Sequence, residues 1–148
     1  MSSLLFRQVT VCDPRSSFNN QVKDVLVIDG IISAIENSIP NDKHQLIEGK
    51  DLLLMPSFVD IGTWVGEPGK EDREDFRSAS KAALAGGYSH LVVLPSTSPA
   101  IDNKSGVEFV SNQNQDIHFS VLGAISKQIK GEQMAELYDM HTAGALGF

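Results

Sequence analysis

The first fifty-five residues alternate short apolar runs with turn signals. Leu4 to Val11 is apolar and β-branched and stops at Asp13-Pro14, which predicts a strand closed by a turn. Asp24-Val-Leu-Val-Ile28 runs into Asp29-Gly30 and then into Ile31-Ile-Ser-Ala-Ile35. Both residues of a tight hairpin turn must tolerate positive φ, so Asp-Gly between two apolar runs predicts a β-hairpin. A further strand over Gln45 to Met55 precedes Pro56. These elements predict a small sandwich-like or open β subdomain over residues 1–55.

From Pro56 the periodicity changes. Phe58-Val-Asp-Ile61 reads as a short buried strand, followed by a Gly/Pro loop from Gly62 to Gly69. A helix is expected over Glu71 to Ala85, its acidic start suiting the positive end of the helix dipole and its end marked by Gly86-Gly87. His90 to Leu94 is the next strand. Asn103 or Ser105 caps a second helix running to Asn114. His118 to Leu122 is a third strand. A third helix carries Met134, Leu137, Tyr138 and His141 along one face, at i, i+3, i+4 and i+7. Gly144 to Phe148 has the look of a fourth strand. Strands alternating with helices at this spacing mean βαβ units and a parallel sheet, an α/β domain over residues 56–148. A doubly wound sheet and a (β/α)₈ barrel both satisfy the pattern.

Composition narrows the class without naming a chemistry. The chain has 148 residues, 41% of them hydrophobic, enough for a real core. A net charge of −7 with no basic block argues against nucleic acid and against an anionic membrane surface. No apolar run reaches the length of a membrane span, and Met1 to Arg7 lacks the pattern of a secretory signal. A single cysteine, Cys12, cannot form an internal disulfide and fits a reducing, cytoplasmic setting.

The most specific residues lie between Met55 and Asp102. The run Pro56-Ser-Phe-Val-Asp60-Ile-Gly62-Thr-Trp64-Val-Gly66-Glu67-Pro68-Gly69 resembles a signature of dihydroorotases, which reads Pro-Gly-Phe-Ile-Asp-x-His-x-His-x-Arg-Glu-Pro-Gly. Ala85-Gly86-Gly87-Tyr88-Ser89 is similar to the family's Ala-Gly-Gly-Phe-Thr, and Leu94-Pro95-Ser96-Thr97-Ser98-Pro99 to its Met-Pro-Asn-Thr-x-Pro. The opening β region resembles the family's N-terminal subdomain. The Glu-Pro-Gly and Pro-x-Thr-x-Pro pieces favour dihydroorotase over hydantoinase or allantoinase.

The resemblance implies the first half of a metallo-dependent-hydrolase (β/α)₈ barrel, about four βα units. It also implies zinc at the C-terminal ends of the strands and reversible cyclisation of carbamoyl-aspartate in pyrimidine synthesis. Zinc would supply the nucleophile by lowering the pKa of bound water. The ligand positions the resemblance assigns to the His-x-His pair are here Gly62 and Trp64. Glycine has no side-chain donor atom and indole offers only an N–H, so no zinc is expected in this chain. Gly66 stands where the family's arginine clamps the substrate carboxylate. Ser96 stands where the family's substrate-contacting asparagine does, and it is the one candidate binding residue retained in altered form.

No catalytic residue is assigned. His90 and His118 open their strands, away from the catalytic face of such barrels. His141 suits a helix end, His44 a solvated turn, and Glu67 alone makes no metal site. Ser96-Thr97-Ser98 reads as a hydroxyl-stabilised turn, Ser126-Lys127 as a solvated loop and Cys12 as a packed side chain.

The expected protein is a non-catalytic dihydroorotase homologue acting as a structural or regulatory subunit. The segment matching Gly144 to Phe148 precedes further metal ligands in the family, so the chain is expected to be a fragment or to continue beyond Phe148. Self-association and aspartate carbamoyltransferase are the partners the resemblance implies. The alternatives are an active zinc-dependent cyclic amidohydrolase drawing ligands from outside this segment, and a metal-free small-molecule sensor.

Overall fold

In the computed structural model, which describes residues 2–148, the chain divides into two compact units, Met1–Pro56 and Ser57–Phe148. The first unit holds β1 (Ser3–Val11), β2 (Val22–Ile28), β3 (Ile31–Glu36), β4 (Gln45–Glu48) and β5 (Leu53–Leu54). Of the sandwich and the open sheet that the sequence allows, the unit is the latter, one mixed sheet in the order β3-β2-β1-β4, with β5 also on β1. β2 and β3 form the hairpin expected at Asp29-Gly30, whose φ values are 48° and 82°. β4 and β5 both run parallel to β1.

The single strand expected over Gln45 to Met55 is broken, and the break has a local cause. β1 bulges at Gln8 (φ 55°), and its register shifts between Phe6 and Val9. Its parallel partner breaks opposite the bulge, pairing Arg7 with Glu48 and resuming at Thr10 with Leu53. The bulge is tied down from β2: Asp24, buried at 4% exposure, accepts the Gln8 N–H at 2.9 Å and the Ile39 N–H at 2.9 Å. An extra strand residue that leaves the ladder needs such a partner. Leu5, Val9, Val11 and Val25 are buried in this unit.

The second unit holds β6 (Phe58–Thr63), α1 (Phe76–Ala85), β7 (Tyr88–Val93), α2 (Lys104–Ser111), β8 (His118–Val121), a short 3-10 turn (Lys127–Ile129) and α3 (Leu137–Thr142). The strands pair in the order β6-β7-β8, all parallel, as βαβ crossovers require. Beyond β8, Leu122 pairs with Gly147 in an isolated parallel bridge, so the fourth strand is present as a single bridge. One sheet face buries Leu91, Val93, Phe119 and Val121 against Phe76, Ala79 and Ala83 of α1 and Val107 and Val110 of α2. By the two-residue alternation of a strand, Val59, Ile61, His90, Val92, His118 and Ser120 belong to the opposite face. No helix in the described residues is long and apolar enough to cross a membrane.

Three helix boundaries differ from those expected, among them the end of α2, which stops at Ser111 and not at Asn114. α1 starts at Phe76; Glu71 and Asp72 lie in a turn before it, and Glu74 in the irregular stretch that follows the turn. Asp75 is the N-cap, its carboxylate accepting the Ser78 N–H at 2.6 Å while the Ser78 hydroxyl accepts the Asp75 N–H at 3.1 Å. This reciprocal box satisfies two backbone donors that a helix end otherwise leaves open. The Ser78 N–H, and then its hydroxyl, hold the Asp75 carboxyl below its ordinary pKa, and the Gly69 N–H does the same for Glu71. α3 begins at Leu137, which leaves Met134 outside it, bridged to Ser126. Its buried residue is Met140, whereas Met134 and Tyr138 are 72% and 78% exposed, so the expected apolar face is not the packed one.

Candidate functional site

The chemistry of a parallel α/β domain gathers at the C-terminal ends of its strands, where the loops leave the sheet. Here those loops are 64–75 after β6 and 94–103 after β7. They are fastened to each other by the Ser98 N–H donating to the Pro68 carbonyl at 3.0 Å. Each contains one cis proline, at Glu67-Pro68 and Ser98-Pro99.

Gly62 is the penultimate residue of β6, with φ at 105°, where the pairing with β7 is irregular between Ile61 and Thr63. A Cβ at this position would meet nothing nearer than Leu94 Cδ2 at 3.9 Å, so the barrier to a side chain is backbone strain and not space. Gly62→Ala is expected to lower stability by about 1–3 kcal/mol. Chemical denaturation measures this, and an unchanged midpoint would contradict the left-handed assignment.

Trp64 is half-buried two residues on. The Arg73 guanidinium stands 4.6 Å from its ring centre and the Lys70 ammonium 5.9 Å, both within cation–π range. The indole face is thus taken up by cations of its own loop. Gly66 is buried, and a Cβ there would lie 2.3 Å from the Lys70 carbonyl oxygen and 2.8 Å from that of Glu74. Both obstacles are backbone, and Lys70 N–H also donates to the Gly66 carbonyl at 2.8 Å. No side chain fits at Gly66 on this loop path. Glu67 is likewise committed: its carboxylate accepts the Phe76 N–H at 3.0 Å, closing the first turn of α1.

Ser96 is exposed and lines a cavity of about 460 Å³ with Thr97, Ser98, Asp102, Gln128 and Ile129. Asp102 accepts the Gln128 N–H at 2.7 Å and the Asn103 side-chain amide at 3.0 Å, and the Thr97 hydroxyl donates to the Pro99 carbonyl at 2.7 Å. Gln128 and Ile129 both have positive φ, unusual for a β-branched residue. The walls can hydrogen-bond a polar ligand but carry no free base beside a nucleophile.

The histidines fall as follows. His44 is half-buried and bonded to the Ser3 hydroxyl at 2.9 Å, not solvated as the turn context suggested. His90 and His118 lie toward the N-terminal ends of β7 and β8, and His141 is exposed in the last turn of α3. The cations over Trp64 and the pairing of His90 with Ser120 were not foreseen, since neither has a sequence spacing that announces it.

No family model matches the chain. A curated dihydroorotase of Elusimicrobium minutum is 32% identical over 145 residues, covering 96% of this chain and 33% of its own. One from Acetivibrio thermocellus is 34% identical over 146 residues, covering 97% and 34%. This is a dihydroorotase-like chain. It spans about a third of the length of the curated relatives it matches. Among solved structures, an L-hydantoinase (dihydropyrimidinase) from Arthrobacter aurescens aligns with all of it and 32% of its own chain, at TM-score 0.77 and 23% identity. A dihydroorotase aligns at TM-score 0.64 and 13% identity, covering 99% and 42%. These likenesses establish the fold: a β-sheet unit followed by part of an amidohydrolase barrel.

Amidohydrolases of this kind are generally metal-dependent, so the donor set can be tested against a zinc ion. Zinc needs imidazole, thiolate or carboxylate donors that converge. At the end of β6 the candidates are a glycine at positive φ, an indole under two cations and a carboxylate holding a helix N-terminus. Among the described residues, no three His, Cys, Asp or Glu side chains gather closely enough to hold an ion. The residues at this end do not fit zinc.

Proposed function

We propose that this dihydroorotase-like chain is non-catalytic at its β6 end and serves pyrimidine synthesis as a structural or regulatory subunit. The observation that carries the reading is the path of the loop after β6. Gly66 lies against the carbonyls of Lys70 and Glu74, so an arginine clamp for a substrate carboxylate has no room there. Gly62, at the end of β6, and Trp64, just beyond it, offer no metal donor. A metal-activated water and a bidentate guanidinium are the two devices that ring opening and closure of a cyclic amide would draw on, and both positions are rebuilt.

Self-association supports itself on β6. This strand is the edge of its sheet, and Phe58, Val59 and Ile61 along it are 48%, 53% and 74% exposed. An apolar strand edge invites a further chain to cover it. A second copy, or aspartate carbamoyltransferase, is the proposed partner.

The purified chain, supplied with zinc, is expected to give no dihydroorotate from carbamoyl-aspartate above the uncatalysed rate. Substantial turnover that scales with chain concentration would overturn the reading in favour of an active cyclic amidohydrolase.

A further inference from the structure

The sheet face opposite α1 and α2 carries two histidines at one register level. His90 of β7 and His118 of β8 are direct partners in the parallel ladder, so their side chains leave the same face of adjacent strands. Their ring centres are 6.2 Å apart, with planes at 72°. His118 is exposed and His90 half-buried, so the pair is open to solutes.

His90 is held. Its Nε2 lies 2.8 Å from the Ser120 hydroxyl, two residues along the same face of β8. In the tautomer that donates Nε2–H to that hydroxyl, Nδ1 carries the ring's lone pair. A metal-binding imidazole is commonly oriented in this way, with its other nitrogen donating to an oxygen. The reach also suits an ion. A metal–nitrogen bond of about 2.0–2.1 Å allows two imidazole rings on one ion to stand up to roughly 6.4 Å apart, centre to centre, when they lie nearly opposite. Imidazole donors suit copper, nickel and zinc, and tetragonal sites that keep water in the remaining positions suit copper and nickel. Magnesium and calcium prefer oxygen donors.

We propose that His90 and His118 form a two-histidine site for a late first-row divalent metal ion, oriented by Ser120. It lies toward the N-terminal ends of the strands, whereas Gly62 and Trp64 lie at the C-terminal end. Two protein donors make a weak, exchangeable site, and its occupancy links β7 to β8.

The test is calorimetric titration of the full chain with Ni²⁺ and separately with Zn²⁺, with Mg²⁺ as the control ion. One equivalent of Ni²⁺ or Zn²⁺ is expected to bind, and Mg²⁺ none. His118→Ala is expected to weaken binding by about tenfold or more, and Ser120→Ala by a similar factor, the range seen when an orienting partner is lost. His141→Ala is expected to leave it unchanged. His118 is exposed, so its replacement is expected to keep the unfolding midpoint of the metal-free chain, which the same samples report. No binding to the unsubstituted chain, or equal binding by the His118→Ala variant, would overturn the proposal.

Discussion

Phe76→Ala is expected to cost the second unit about 3–5 kcal/mol, the range for emptying a buried aromatic site. Phe76 is 1% exposed and is the first residue of α1. Its ring meets Phe119 of β8 edge-on at 4.9 Å and Phe109 of α2 at 6.0 Å, so one side chain joins three elements. Aromatic pairs of this geometry add to the area they bury. Its backbone N–H is the donor that Glu67 accepts, so its position also decides where the loop after β6 must end. The chain has one tryptophan, Trp64, and its fluorescence reports the second unit directly. A urea midpoint read from that signal is expected to fall sharply for Phe76→Ala and less for Phe76→Leu. Equal, small changes for the two would mean that the aromatic cluster does not organise this core.

Asp24→Ala is the largest effect expected in the first unit, about 2–6 kcal/mol. Removing the carboxylate strips two N–H groups, those of Gln8 and Ile39, of their acceptor, and each unsatisfied donor costs roughly 1–3 kcal/mol. The loss also frees the bulge in β1, which fixes where β4 stops and β5 begins. Asp24→Asn retains one oxygen acceptor and is expected to lose less. Far-ultraviolet circular dichroism follows this unit's sheet, and an alanine variant as stable as the asparagine one would show that these bonds contribute little.

The comparison of these two residues shows what the sequence makes legible. Asp24 opens a continuous apolar run, and nothing local marks it as buried. Its partners, Gln8 and Ile39, are 16 and 15 residues away. By contrast Asp29-Gly30 announces its hairpin by local chemistry alone. An acidic run suits a helix N-terminus wherever it falls and so does not locate the start of α1, whereas the capping box at Asp75 and Ser78 and the acceptor Glu67 select Phe76. The apolar face expected for α3 fails because Met134 falls in phase with a helix that begins three residues later.

The same division applies to the candidate site. The replacement of donors at Gly62, Trp64 and Gly66 is legible residue by residue. The reasons those positions do not simply await a side chain are tertiary. Positive φ at Gly62, the carbonyls crowding Gly66 and the stacking of Arg73 on Trp64 follow from the loop's path. Exposed apolar side chains on β6 belong to the same class, since the sequence Phe58-Val-Asp-Ile61 reads as buried while Ile61 is 74% exposed.

The central claim is that the end of β6 holds no catalytic zinc, and anomalous scattering at the zinc edge from crystals of the zinc-treated chain tests it most directly. No zinc density is expected beside Gly62, Trp64 and Glu67, and any ordered ion is expected between His90 and His118. A zinc peak coordinated at the C-terminal end of β6 would contradict it.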